Sequence, residues 1–219
     1  MTFDGVETTL VGGAAVAKLT LEQTARLMLE RTFAPAQKQR PHYLTSVNGE
    51  VLARRVLDKE FAKLVDGADL INADGQPLVI ASRLLSEKPL PERVATTDLY
   101  PVVARMAQKR GTSFYLLGAS EKVNLAAYNA TKSDFPRLNI VGRSHGFLKG
   151  KQLDAKLDEI NALAPDILWL GLGVPLEQQF VRDYSSRLPN VKMIKTSGGL
   201  FDFLAGAKKR APRWMVTGR

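Results

Sequence analysis

The sequence predicts an α/β fold, with a mostly parallel sheet flanked by helices. Two observations carry that reading. Six short runs enriched in branched and aromatic residues alternate with helical patterns of 10 to 17 residues, and strands alternating with helices of that length imply βαβ units. Polar and turn-forming residues then collect directly after the strand-like runs. Open parallel sheets bind their ligands at that edge.

Taken in order, LTLEQTARLMLERTF (19–33) repeats apolar residues at spacings of three and four and reads as a helix. HYLTSV (42–47) is the first strand, and GEVLARRVLDKEFAKLV (49–65) the helix after it. DLINA (69–73) is the second strand; Asp74-Gly75-Gln76-Pro77 then breaks the chain before an apolar helical stretch from Leu78 to Leu85. SEKPLPERVATTD (86–98) is the least regular segment and reads as an active-site loop. DLYPVVARMAQKR (98–110) is a helix ended by Gly111, and SFYLLGA (113–119) is the third strand. SEKVNLAAYNATKSDF (120–135) is a helix closed by Pro136, followed by the strand LNIVGR (138–143) and the helix DAKLDEINALA (154–164). The strand DILWLGL (166–172), the helix LEQQFVRDYSSRL (176–188) stopped by Pro189, and the strand VKMIKTS (191–197) complete the series.

At 219 residues and 45% hydrophobic content the chain can build one generous domain, expected over residues 1–215 with 216–219 as a truncated or tag-like end. It has no cysteine, which removes disulfides and thiolate metal sites and fits a reducing cytoplasm. Asp4 and Glu7 occupy positions where a secretory signal carries positive charge, and Lys18 interrupts the apolar stretch LVGGAAVA. No apolar run approaches the ~20 residues of a membrane span. The net charge of +9 suits anionic partners, namely nucleic acid, a phosphorylated substrate or an anionic membrane. Much of it is spread over helices beside acids; the exception is Lys208, Lys209, Arg210 and Arg213 around Trp214.

Several chemistries are disfavoured by missing motifs. There is no Walker lysine loop, GLGVPL does not complete GxGxxG, and GxSxG is absent. His42 and His145 lack metal-ligand spacing. Carboxylates and amides remain. After the first strand come Thr45, Ser46 and Asn48; after the second, Asp74 and Gln76; after the third, Gly118; after the fifth, Glu177 and Gln178; after the last, Gly198 and Gly199. Asp74 is either a cap for the helix that follows or a general base that takes a proton from an attacking hydroxyl. Asn48 and Gln76 either cap their own helices or bind sugar hydroxyls. Arg93 and the Gly-rich turns could hold a diphosphate through charge and backbone N–H groups.

As an ordered set, VNGEV (47–51), ADLINADGQPLV (68–79), ERVATTDL (92–99), FYLLGA (114–119), LNIVGRSHGF (138–147), PDILWLGLGVPLEQQF (165–180) and SGGLFDFLAGAKKRAPRWM (197–215) resemble the bacterial WecG/TagA/CpsF family. These are inverting enzymes of glycosyltransferase family 26, and the resemblance covers roughly residues 40–215. It implies a Rossmann-like fold and transfer of a hexose or N-acetylhexosamine from a UDP-sugar to a polyprenyl-diphosphate-linked saccharide, in exopolysaccharide or cell-envelope glycan biosynthesis. It implies no cofactor and no obligatory metal. Asp74 matches the family's proposed base, Asn48 and Arg93 match sugar- and phosphate-site positions, and Phe147 stands where an aromatic lies near the nucleotide. Ser46 takes a place that is often threonine, with Thr45 its rival, and Asp98 closes the ERV…D element. The chain departs where the family's Pro-Lys-Gln-Glu reads Pro175-Leu176-Glu177-Gln178, which leaves the donor sugar open. The family continues past KRAPRW into a basic appendage that docks on membranes and adds arginines to the site; ending at MVTGR, this chain is expected to be a trimmed form. Its expected place is the cytoplasmic face of the bacterial cell membrane, as a peripheral protein without nucleic acid, its homo-oligomeric state open. Two rival readings are a basic nucleic-acid-binding α/β domain and a nucleotide-sugar-binding protein without catalysis.

Overall fold

The computed structural model describes residues 3–33 and 40–207, apart from the side chain of residue 4. It opens with a small antiparallel hairpin, β1 (Thr8–Val11) and β2 (Ala14–Ala17), turning through Gly12 and Gly13, both at positive φ. The sequence reading had no element there.

The main chain then alternates as expected. It runs through α1 (Leu21–Phe33), β3 (His42–Val47), α2 (Gly49–Leu57), α3 (Lys59–Asp66), β4 (Leu70–Ala73), α4 (Gln76–Leu85) and α5 (Thr96–Arg110). It continues through β5 (Ser113–Gly118), α6 (Glu121–Asp134), β6 (Asn139–Ser144), α7 (Gly150–Leu163), β7 (Ile167–Gly171), α8 (Leu176–Tyr184), β8 (Met193–Thr196) and α9 (Leu200–Leu204). Six strands pair in the order β4-β3-β8-β7-β5-β6, and every pairing is parallel. The fold is therefore α/β and Rossmann-like.

Local chemistry explains the differences from the sequence reading. The single helix expected over 49–65 is two. Asp58 leaves helical geometry (φ −127°, ψ 102°) and its carboxylate accepts the Phe61 N–H at 2.9 Å, starting α3 afresh. A short acid competes with backbone bonds in a helix interior and favours caps. The stretch expected as one helix over 176–188 ends at Tyr184 and tightens into a 3₁₀ turn, Ser185–Arg187.

Both faces of the sheet are covered. On one, Trp169, Tyr100 and Phe114 form an aromatic cluster, with the Tyr100 and Trp169 rings edge to face at 4.8 Å. On the other, Leu168, Leu170 and Ile194 pack with Tyr115, Leu157 and Phe180. Burial on both sides is why β5 and β7 read as continuous apolar runs. Among the described residues no helix is long and apolar enough to cross a membrane.

Candidate functional site

A cavity of about 460 Å³ opens at the carboxyl ends of β3, β4 and β8. Parallel pairing stops there, so the chain leaves each strand with polar groups pointing into the opening. Ser46, Asn48, Asp74, Arg93, Glu177, Gly198 and Gly199 all line it. Seven of the residues marked from sequence thus converge from five separate stretches of chain.

Asp74 sits one residue beyond β4, its own N–H donating to Val47 O at 2.7 Å. Its Oδ2 accepts the backbone N–H of Thr96, the first residue of α5, at 3.2 Å. The carboxylate does not cap the helix that follows it: α4 starts from Gly75 with no side-chain cap. One oxygen is therefore fixed by α5 while the half-buried side chain fronts the cavity. Val94 N–H donates to Ala73 O at 2.8 Å, which straps the 86–95 segment to the end of β4 and brings Arg93 to the rim. Arg93 is ion-paired with Asp98 in the first turn of α5, and of the two Arg93 lines the cavity.

Asn48 both caps and lines. Its Oδ1 accepts the Val51 N–H at 2.9 Å as the cap of α2, which leaves the amide NH₂ as the donor it can offer at the cavity. Strand alternation decides between the two hydroxyls. Thr45 is buried on the opposite face, its Oγ1 2.8 Å from that of Thr196, whereas Ser46 faces the cavity side and lies 3.3 Å from Thr96 Oγ1.

Glu177 reaches the cavity from α8 although only 3% exposed. Its Oε2 accepts the Gly198 N–H at 2.9 Å. That N–H is therefore taken by the protein's own carboxylate, contrary to the diphosphate role expected of this turn. Burial pushes the Glu177 carboxyl up to about 7, opposed by the Gly198 N–H and by the charge of Lys195. Gln178, the next residue, points away: it is 1% exposed and lines a different hollow beside Tyr43 and Arg182. Gln76, on the first turn of α4, does not line the cavity.

A second, more apolar cleft of about 470 Å³ lies over the ends of β5 and β7. Phe147 stands at it, 73% exposed, with Leu172, Phe180 and Tyr184 behind. Gly118 supports this cleft through packing. Its φ is +145°, and a Cβ there would come within 2.1 Å of Gly171 O. The turn between β7 and α8 divides the clefts, sending Val174 and Glu177 into the first and Leu172 and Leu176 into the second.

Sequence reasoning missed Lys195. It lies inside β8, fully buried, and donates from Nζ to Ser46 Oγ and Thr196 O, both at 2.9 Å. The trace in sequence was slight, since Lys195 is one of two lysines in the strand-like run VKMIKTS. Among the described residues no three His, Asp or Glu side chains gather to hold a metal ion.

A half-buried carboxylate, hydroxyl and amide donors and a guanidinium stand around one opening of an α/β fold, beside an apolar cleft with an exposed ring, a set of groups suited to transfer chemistry on a polar substrate. The model of the glycosyl transferase WecG/TagA/CpsF family matches residues 9–218, and the chain belongs to that family. It is similar to the N-acetylglucosaminyldiphosphoundecaprenol N-acetyl-beta-D-mannosaminyltransferase of Bacillus subtilis (strain 168), at 30% identity over 173 residues, 79% of this chain and 66% of that protein. The protein of the same name from Bacillus spizizenii is 29% identical over 188 residues, covering 86% of this chain and 71% of that one. That from Staphylococcus aureus (strain MRSA252) is 26% identical over 182 residues, covering 83% and 70%. The chain spans about two thirds of the length of these relatives.

Proposed function

We propose that this chain is an inverting, metal-independent glycosyltransferase that moves a hexose or N-acetylhexosamine from a UDP-sugar to a polyprenyl-diphosphate-linked saccharide in cell-envelope glycan assembly. The observation that carries the reading is Asp74, a carboxylate anchored through one oxygen by the Thr96 N–H and facing a cavity shared with Ser46, Asn48 and Arg93. In the reaction the acceptor hydroxyl gives its proton to Asp74 as its oxygen bonds to the anomeric carbon. The bond from that carbon to the phosphate oxygen breaks on the opposite face, UDP departs with the electron pair, and the configuration inverts. Amide and hydroxyl groups of Asn48 and Ser46 suit sugar hydroxyls, and Arg93 suits a phosphate. The exposed Phe147 ring and its apolar surroundings suit the uracil.

The relatives' names place N-acetylmannosamine on a diphosphoundecaprenol-linked N-acetylglucosamine, so we take the same substrate classes as the first to assay. A lipid-linked acceptor used together with a UDP-sugar donor supports a peripheral place at the inner face of the cell membrane. The basic cluster Lys208, Lys209, Arg210 and Arg213 lies outside the described residues; its proposed part is attraction to anionic lipid, at about 1 kcal/mol per cation. The test is Asp74→Asn. Transfer should fall at least about 100-fold while UDP binding persists; near-normal turnover would refute the assignment.

A further inference from the structure

Three adjacent strands, β4, β3 and β8, each carry a polar residue on a face that is otherwise apolar. Asn72 stands in register with Ser46, and Lys195 is in register with Leu44 on one side and Trp169 on the other. Leu70, Leu44, Met193 and Trp169 of the same face belong to the main apolar cluster. Asn72 and Lys195 are fully buried, while Ser46 lines the cavity. Leucine or methionine is the ordinary occupant of a position such as 195, because a buried ammonium is tolerated only when it is hydrogen-bonded. The fold supplies those bonds at one point. The ladder between β3 and β8 ends at the Leu44–Lys195 pair. Just beyond it the lysine joins the two strands by its side chain, donating from Nζ to Ser46 Oγ on β3 and to Thr196 O on β8, both at 2.9 Å.

That contact sets the direction of the Ser46 hydroxyl. Burial draws the lysine down only to about 8, so at neutral pH it is an ammonium, with three N–H donors and no acceptor. Ser46 Oγ therefore accepts from it. A hydroxyl has one proton to give and two lone pairs, and the lysine occupies one of the lone pairs. Thr96 Oγ1, the other polar neighbour of Ser46, lies 3.3 Å away, long against the roughly 2.7–2.8 Å common for a pair of hydroxyls. Asn72, level with Ser46 on the next strand, makes no side-chain hydrogen bond to a described residue and does not claim that proton. A ligand oxygen in the cavity thus meets little competition for it. A group able to give or take is held as a giver, and the charge behind it polarises the bond it gives.

We propose that Lys195 is a positioning residue that holds the Ser46 hydroxyl as a hydrogen-bond donor, making this wall of the cavity a subsite for an acceptor-only oxygen of the nucleotide sugar. Two kinds of oxygen in such a ligand have that chemistry, those of the phosphates and the carbonyl of an acetamido group. A sugar hydroxyl, which gives as well as takes, gains less from the arrangement. The role of Ser46 sharpens accordingly, from a general contact for sugar hydroxyls to a directed one. The inference rests on the reading of this cavity as the nucleotide-sugar site and makes no use of proton removal by Asp74.

The experiment is a double-mutant cycle on binding, by calorimetry at pH 7, with UDP and UDP-N-acetylmannosamine as probes and thermal unfolding to check that each variant folds. Ser46→Ala should weaken binding about tenfold. Lys195→Met should weaken it to a similar extent. In the Ser46→Ala background it should cost less than about twofold, because the lysine then has no hydroxyl left to direct. Lys195→Gln keeps N–H groups for Ser46 and Thr196 O without the charge. It should cost about threefold alone and nothing after Ser46→Ala, and it carries the cycle should Lys195→Met not fold. A loss with both probes puts a phosphate at Ser46, and a loss confined to the sugar nucleotide puts the acetamido carbonyl there; either supports the inference. A Ser46→Ala chain that binds both probes as tightly as wild type overturns it, and so do losses that add across the cycle, since a lysine of purely structural use is indifferent to the hydroxyl. A wild-type chain that binds neither probe overturns the reading of the cavity and this inference with it. A fully active Asp74→Asn enzyme overturns only the base.

Discussion

Glu177→Gln should stabilise the protein at neutral pH and leave it unchanged in acid, a result opposite to what loss of a hydrogen-bonded side chain ordinarily gives. The carboxyl titrates near 7 in the fold against an ordinary value of 4.5. Below 4.5 it is protonated both folded and unfolded and contributes no pH dependence. As pH rises from 4.5 to 7 the unfolded chain releases the proton while the fold retains it, so folding loses about 1.4 kcal/mol per pH unit. Above 7 the loss levels off, at roughly 3 kcal/mol in all. Glutamine stays neutral throughout and still offers an oxygen to the Gly198 N–H. The difference between variant and wild type should therefore be near zero at pH 4.5 and grow to roughly 3 kcal/mol in favour of the variant by pH 7.5. Urea unfolding followed by circular dichroism at several pH values measures it, provided the slope on denaturant is common to both proteins. A difference that stays flat across that range would refute the claim that Glu177 is buried as a strained carboxylate.

Asn48→Ala should cost about 1 kcal/mol through loss of the α2 cap, whereas Asn48→Asp keeps the cap; both should lose transfer activity, which separates the two roles by thermal unfolding and rate. Gly118→Ala should destabilise by at least ~2 kcal/mol, since the new Cβ meets the Gly171 carbonyl at a backbone angle that disfavours side chains; an unchanged melting temperature would sink that reading. Phe147→Ala should leave stability unchanged, the ring being exposed, and weaken UDP binding in calorimetry by about tenfold. Transfer should proceed at an unchanged rate in excess EDTA.

The sheet was readable because its inner strands β5, β7 and β8 are buried on both faces. HYLTSV became β3 residue for residue, and DILWLGL became β7 with one residue trimmed from each end. The hairpin was not read because LVGGAAVA was weighed as a failed secretory signal, although Gly12-Gly13 between two alternating stretches is a hairpin signature. Asp74, Asn48 and Ser46 could be marked since strand ends at this edge of a parallel sheet meet in space whatever their separation in sequence. Glu177 and Gln178 could not be told apart, because neighbours on a helix point about 100° from each other and only packing fixes which one faces the cavity. Asp74 as the cap of α5 was hidden too; that contact joins residues 22 positions apart across an irregular segment. Lys195 escaped because a lysine within VKMIKTS passes for a solvated edge residue until both faces of β8 are known to be covered.

The lysine within β8 has a practical corollary for anyone re-engineering this scaffold. Core-optimising procedures would replace it with leucine, but that exchange takes the donor away from Ser46 Oγ and the Thr196 carbonyl and leaves the buried Glu177 carboxyl without a nearby cation, so it should lower stability. A heat-tolerant library should therefore retain lysine at this codon, and one scored on burial alone would discard it.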